Sequence, residues 1–130
     1  MRARCWQRSK QPDATRVVQC ITLDGFLRQH GDPDFPVSLV KIDVEGHENS
    51  VLRGMRQFLV EKRPPLIMFE YLERTNLDEA LGLLAGVGYQ VFELTRLGPV
   101  AVTGRVDPLQ DLFACPLECM TAIGVVARTS

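Results

Sequence analysis

Residues 66–71 read L-I-M-F-E-Y and follow a double proline, Pro64 and Pro65. A helix does not run through that pair, because proline lacks the N–H and its ring clashes with the preceding turn. Nor does the run alternate apolar with polar residues, as a strand with one wet face does. A near-continuous apolar run of this length fits a strand covered on both faces. A second such run, V-S-L-V-K-I-D at 37–43, stands upstream. Between them Val51, Leu52, Met55, Phe58 and Leu59 recur three and four apart, which predicts a helix from about His47 to about Val60. Asn76 followed by Glu79 has the form of a capping box and opens a second helix carrying Leu77, Ala80, Leu81, Leu84 and Val87. Gly86 and Gly88 close it, and Y-Q-V-F-E-L at 89–94 is the next strand. This alternation implies an α/β fold with a mostly parallel sheet, right-handed crossovers and flanking helices.

The remaining segments are shorter. T-R-V-V-Q-C-I-T-L at 15–23 reads as a strand, after which Thr22 caps a short helix ended by Gly31. The stretches 31–36, 97–99 and 104–108 are loops or turns, and 110–116, Q-D-L-F-A-C-P, is a strand. The tail at 120–128 is apolar enough to pack. Residues 1–14, basic through Arg2, Arg4, Arg8 and Lys10, read as an unassigned, solvated leader.

A chain of 130 residues suits one domain and buries a core without disulfide staples. Its net charge of −1 gives no bias toward nucleic acid or anionic membrane. No apolar stretch approaches a membrane span, and none follows the basic start as a secretory signal requires, so a cytoplasmic chain with free thiols is expected. Cys115 and Cys119 stand four apart, which is neither a zinc knuckle nor a redox C-x-x-C, and no metal centre is assigned to them.

The run at 37–43 breaks into D-V-E-G-H-E, residues 43–48. Taken singly these residues have structural explanations. Lys41 and Asp43, two apart on a strand, form an ion pair on one face. Gly46 supplies a turn with positive φ, and Glu48 suits the first turn of a helix. Taken together, Asp43, Glu45 and His47 occupy alternate positions through a strand-to-helix turn. Open α/β sheets bind ligands at that end, beyond the carboxyl termini of their strands. Glu70 ends the next strand and lines the same crevice. Two chemistries fit: a proton acceptor for a substrate hydroxyl, or oxygen ligands for a hard divalent cation. Against the second stand the lack of a phosphate-binding glycine loop and of further histidines.

Five blocks then fall in one order: T-L-D-G-F-L, L-V-K-I-D-V-E-G-H-E-N-S-V-L-R-G-M, R-P-P-L-I-M-F-E, L-L-A-G-V-G-Y-Q-V-F-E-L and D-L-F-A-C-P. Over roughly residues 15–116 the chain resembles the FkbM-type methyltransferases, K-I-D-V-E-G-H-E with V-L-R-G being the most specific block. The resemblance implies a class I, Rossmann-like fold and S-adenosylmethionine as cofactor. It also implies methyl transfer to a hydroxyl of a small molecule, glycan, lipid or natural product. It assigns catalysis to Asp43, Glu45 and His47, and contact with the cofactor to Asp43 and Glu70.

The family's glycine-rich first strand and the acid ending its second strand hold the methionine part and the ribose of the cofactor, and neither is in this chain. The one G-x-G, Gly86 and Gly88, follows a helix and precedes a strand, the reverse of a dinucleotide-binding turn. The expectation is a partial domain, residues 15–130, whose catalysis needs more than this chain. An apolar strand left at the sheet edge invites self-association. A non-catalytic binding or self-pairing module is the alternative function.

Overall fold

The computed structural model describes residues 4–5, 17–31 and 34–127. The reading of residues 1–14 as a leader lies outside these, except that Arg4–Cys5 (β1) pairs antiparallel with Val18–Gln19 (β2). The strand expected over 15–23 is thus two residues long within the described part. Helix α1, Leu23–His30, begins where Thr22 Oγ1 accepts the Gly25 N–H at 3.0 Å and ends at Gly31, φ 81°. The order then runs β3 (Val40–Ile42), α2 (Glu48–Gly54), α3 (Arg56–Lys62), β4 (Ile67–Tyr71), α4 (Leu77–Ala85) and β5 (Tyr89–Thr95). It closes with β6 (Gly98–Ala101), β7 (Gln110–Pro116), a 3-10 turn at Leu117–Cys119 and α5 (Met120–Ile123).

The helix expected from about residue 47 to 60 is two helices, broken at Met55 (φ −127°, ψ 18°). The cause lies on α1. A helix start leaves N–H groups without partners, and here the Asp24 carboxylate accepts the N–H of Gln57 at 3.0 Å and of Phe58 at 2.9 Å. One carboxylate therefore both starts α3 and holds it against α1.

Five strands form one mixed sheet in the order β3-β4-β7-β5-β6. The expectation of a mostly parallel sheet is corrected: of the ladders between these strands only β3–β4 is parallel, and the other three are antiparallel. Strands β3, β4 and β5 do run in one direction, as the alternation of strands and helices requires. After β5, however, the chain turns back at residues 96–97 into β6, a strand read from sequence only as a turn. It then returns as β7, which enters between β4 and β5 and runs against both. The tail packs on β6, with Val126 bridging Val100.

One sheet face carries Ile42, Ile67, Phe69, Val91, Leu112 and Ala114, buried under Leu52, Met55 and Leu59 of the α2–α3 segment and Ala80 and Leu84 of α4. Truncation of a core aromatic of this kind costs about 3–5 kcal/mol. The ladder parity puts Lys41, Met68, Glu70, Asp111 and Phe113 on the opposite face. Among the described residues no helix is long and apolar enough to cross a membrane. Asp24→Ala should lower the unfolding free energy by about 1–2 kcal/mol, as loss of a helix cap does. Asp24→Asn, keeping one acceptor oxygen, should lose less, and urea unfolding of the two variants checks the order.

Candidate functional site

The site grows from the turn between β3 and α2. Glu45 (φ 53°) and Gly46 (φ 95°) both take left-handed conformations, which swing the chain from strand to helix within two residues. A Cβ at position 46 would also meet the exposed Arg74 side chain, which would have to move aside. Arg74 Nη2 lies 3.4 Å from Glu45 Oε2, an exposed pair of little energetic weight. The turn is fixed from inside. Glu48 is fully buried; its Oε1 accepts the Gly46 N–H at 3.0 Å, and its Oε2 accepts from Thr75 Oγ1 at 3.4 Å. The next residue is also used internally: Asn49 Nδ2 donates to the Asn76 carbonyl and to Glu79 Oε2, both at 2.9 Å. Arg53 pairs with Glu79. Three polar residues of the motif thus dock α2 on α4 and its leading loop.

What remains points outward. Asp43, Glu45 and Glu70 each bring a carboxylate oxygen within 4.8 Å of the others. His47 is exposed at the N-cap of α2, makes no capping bond, and stands outside that cluster. Asp43 Oδ2 accepts from Lys41 Nζ at 3.1 Å with both side chains about half exposed, 52% and 57%. The Lys41 pKa is raised, first by that hydrogen bond and charge, with smaller contributions from Asp111 and Glu70.

Glu70 is the strained member. Its Oε2 is enclosed and has no hydrogen-bond partner among the described residues. Desolvation, and then the charges of Glu45, Asp43, Glu48 and Asp111, push its pKa above the ordinary carboxylate value. Asp111 is the residue that sequence reasoning missed. It sits directly across from Glu70 in the β4–β7 ladder, where like charges oppose each other. The only available signal was its position as an acid near the start of an apolar strand, and nothing local told that strand to lie beside β4. Three clustered oxygens of this type suit a hard divalent cation; exposed acids also gather without one.

Beside β3 lies an open cleft of about 470 Å³, lined by Leu23, Val40, Ile42, Val44, Val51 and Met55 together with Lys41 and Asp43. Its volume falls within the roughly 300–1,000 Å³ of small-molecule sites. The Methyltransferase FkbM domain matches this chain over residues 3–91. The chain belongs to the FkbM methyltransferase family. The family match takes in β3, the Glu45–Gly46 turn and β4, hence Asp43, Glu45, His47 and Glu70. It ends within β5, so the D-L-F-A-C-P block and Asp111 lie beyond it. No curated protein and no solved structure matches the chain. Membership in the FkbM family brings methyl transfer as the general chemistry.

Because the folded pKa of Glu70 is raised, the stability that its neutral carboxyl contributes is fully present below 4.5 and is lost as pH rises through the folded value. Glu70→Gln should therefore raise the melting temperature at neutral pH, and the gain should shrink as pH falls through the ordinary carboxylate range. Melting curves of both proteins from acid to neutral pH check this; a lower melting temperature for the variant at neutral pH contradicts it.

Proposed function

We propose that this chain takes part in S-adenosylmethionine-dependent methyl transfer to a hydroxyl oxygen of a sugar, lipid or natural product. The observation that carries the proposal is the joint position of Asp43, Glu45 and Glu70 at the carboxyl ends of two parallel strands, beside an open cleft. Membership of the family supports methyl transfer in general; the cofactor, the hydroxyl acceptor and the residue roles are this reading's own.

The acidic group fits the methyl-bearing end of the cofactor, whose sulfur is positively charged. When bound, the cofactor supplies an electrophilic methyl group. The fit does not extend to its other end. Gly86 and Gly88 lie between α4 and β5, at the amino end of β5. Since β5 runs with β3, that is the end of the sheet opposite Asp43. The proposal assigns this chain's residues to the methyl end and the acceptor, and no residue of it to the ribose or the methionine carboxylate.

Asp43 is the proposed proton acceptor. Its Oδ2 is held by Lys41, which orients the carboxylate and leaves Oδ1 to receive a hydroxyl proton. Glu45 adds negative charge beside it, and Glu70, enclosed on one oxygen, fixes the depth of the site. His47, exposed at the first turn of α2, is a second proton acceptor within the same turn. Most of the rate gain in such a transfer comes from alignment of the reacting atoms, and the rigid Glu48-anchored turn serves that end.

Calorimetric titration with S-adenosylmethionine and S-adenosylhomocysteine tests the reading. The expected result is saturable binding, weakened roughly tenfold or more in Asp43→Ala and Glu45→Ala, as loss of a charged partner predicts. A folded chain that evolves no heat with either compound removes the catalytic reading and leaves the non-catalytic binding module.

A further inference from the structure

The ladder that joins β3 to β4 ends at Ile42 and Phe69. Beyond it the two segments part, one into the Glu45–Gly46 turn and the other, after Tyr71, into the loop that leads α4. Glu45 stands on the first and Glu70 at the end of β4, so side chains have to fix the spacing between them. Arg74 on Glu45 is an exposed contact and counts for little. Asn49 on the Asn76 carbonyl joins α2 to the cap of α4, past the turn itself. The contact that bears on the turn is Thr75 with Glu48.

Thr75 is buried, and it serves both sides. Its N–H donates to the Leu72 carbonyl at 2.9 Å, and its Oγ1 accepts the Leu72 N–H at 3.2 Å. Leu72 is the first residue past β4. The carbonyl before it, of Tyr71, is taken by the Leu109 N–H at 2.7 Å. Thr75 thus holds both backbone groups of the residue at which β4 ends. A hydroxyl has one proton to give, and here it goes to Glu48 Oε2 at 3.4 Å. The other oxygen of Glu48 accepts the Gly46 N–H at 3.0 Å. One line of hydrogen bonds therefore runs from the end of β4 to the β3 turn, through Leu72, Thr75, Glu48 and Gly46. Such bonds polarise one another in series. The middle link is long for an O–H···O bond, which makes it the easiest to open. Opening it leaves a buried carboxylate oxygen without its donor, which is costly. Glu48 then moves, and the turn moves with it.

We infer that Thr75 is a positioning residue of the acidic site: its hydroxyl bridges the end of β4 and the Glu48-anchored turn and so sets the spacing of Glu45 and Glu70. The role belongs to the hydroxyl and not to the volume of the side chain. Asp43 directly follows the β3–β4 ladder and Asp111 lies within the β4–β7 ladder, so only Glu45 and Glu48 hang on this bridge. Its effect on a cationic ligand, the sulfonium end of S-adenosylmethionine, rests on the methyl-transfer reading. The spacing of the carboxylates does not.

Thr75→Val removes the hydroxyl and keeps the branched shape, whereas Thr75→Ser keeps the hydroxyl. The first readout is the Glu70 carboxyl carbon, followed by NMR against pH without cofactor. Glu70 is faced by Lys41 and Asp43 on the β3 side, Glu45 of the turn, Glu48 of α2 and Asp111 of β7. Burial and then these acids hold its pKa above the ordinary value. In folded Thr75→Val, Glu45 and Glu48 draw away and the Glu70 pKa should fall toward that ordinary value. Thr75→Ser should titrate as the wild type does. The second readout is calorimetric titration with S-adenosylmethionine, in which Thr75→Val should bind roughly tenfold or more weakly and Thr75→Ser should recover the wild-type affinity. If circular dichroism shows Thr75→Val unfolded, Thr75→Ala replaces it in both measurements. A Glu70 titration unchanged in the folded variant that lacks the hydroxyl overturns the inference. So does a Thr75→Ser protein that titrates like that variant. A wild type that evolves no heat removes the methyl-transfer reading, and the Glu70 titration then decides the inference alone.

Discussion

The Glu48 carboxylate is the contact on which the candidate site of this molecule depends. Removing a carboxylate from water is expensive unless its oxygens are satisfied. Here one oxygen takes the Gly46 N–H and the other the Thr75 hydroxyl. The first bond closes the turn after β3 and the second ties that turn to the loop after β4. Two consecutive left-handed residues, Glu45 and Gly46, are held in place by it. The β3–β4 ladder sets Asp43 beside Glu70; the Glu48 anchor adds Glu45, which belongs to the turn and has no strand to hold it.

The same contact divides the segment's labour. Of the ionisable and amide groups from 43 to 53, Glu48, Asn49 and Arg53 are used to dock α2 on α4 and its leading loop. Asp43, Glu45 and His47 face outward. The density of ionisable groups therefore marks two different things, a buried polar clasp and an exposed acidic site. A buried network of this kind costs more when broken than it contributes when formed. Substitutions at Glu48 or Asn49 would thus act on the site through its framework, and substitutions at Asp43 or Glu45 would act on it directly.

Local signals in the sequence were sound where the physics is local. Thr22 and Asn76 cap the helices assigned to them, and Gly46 takes the positive φ that its turn demands. The acids at the ends of β3 and β4 come together as the crossover geometry requires. What was hidden depends on distant partners. Gly54 weakens the helix beside Met55 but does not by itself end one; Asp24, more than thirty residues upstream, accepts the first N–H groups of α3. Likewise β7 reads as an ordinary strand, and only the whole sheet shows that it enters between β4 and β5. Glu48 looked like a dipole-complementing acid on a helix surface, yet it is buried because Thr75 waits for it across the crevice.

The entry of β7 also sets the electrostatics of the site. By running against β4 it lays Asp111 directly opposite Glu70, an arrangement that a parallel neighbour in the expected order would not have produced. Like charges so placed repel, and Asp43 and Glu45 add to the field that raises the Glu70 pKa. Lys41 relieves this patch from within β3, and its raised pKa records the exchange. Any further positive charge brought to the patch would be stabilised by the same field. A sulfonium and a divalent cation differ in shape but share that attraction. The charge of the candidate site is thus set by the sheet topology, and its shape by the apolar cleft beside β3.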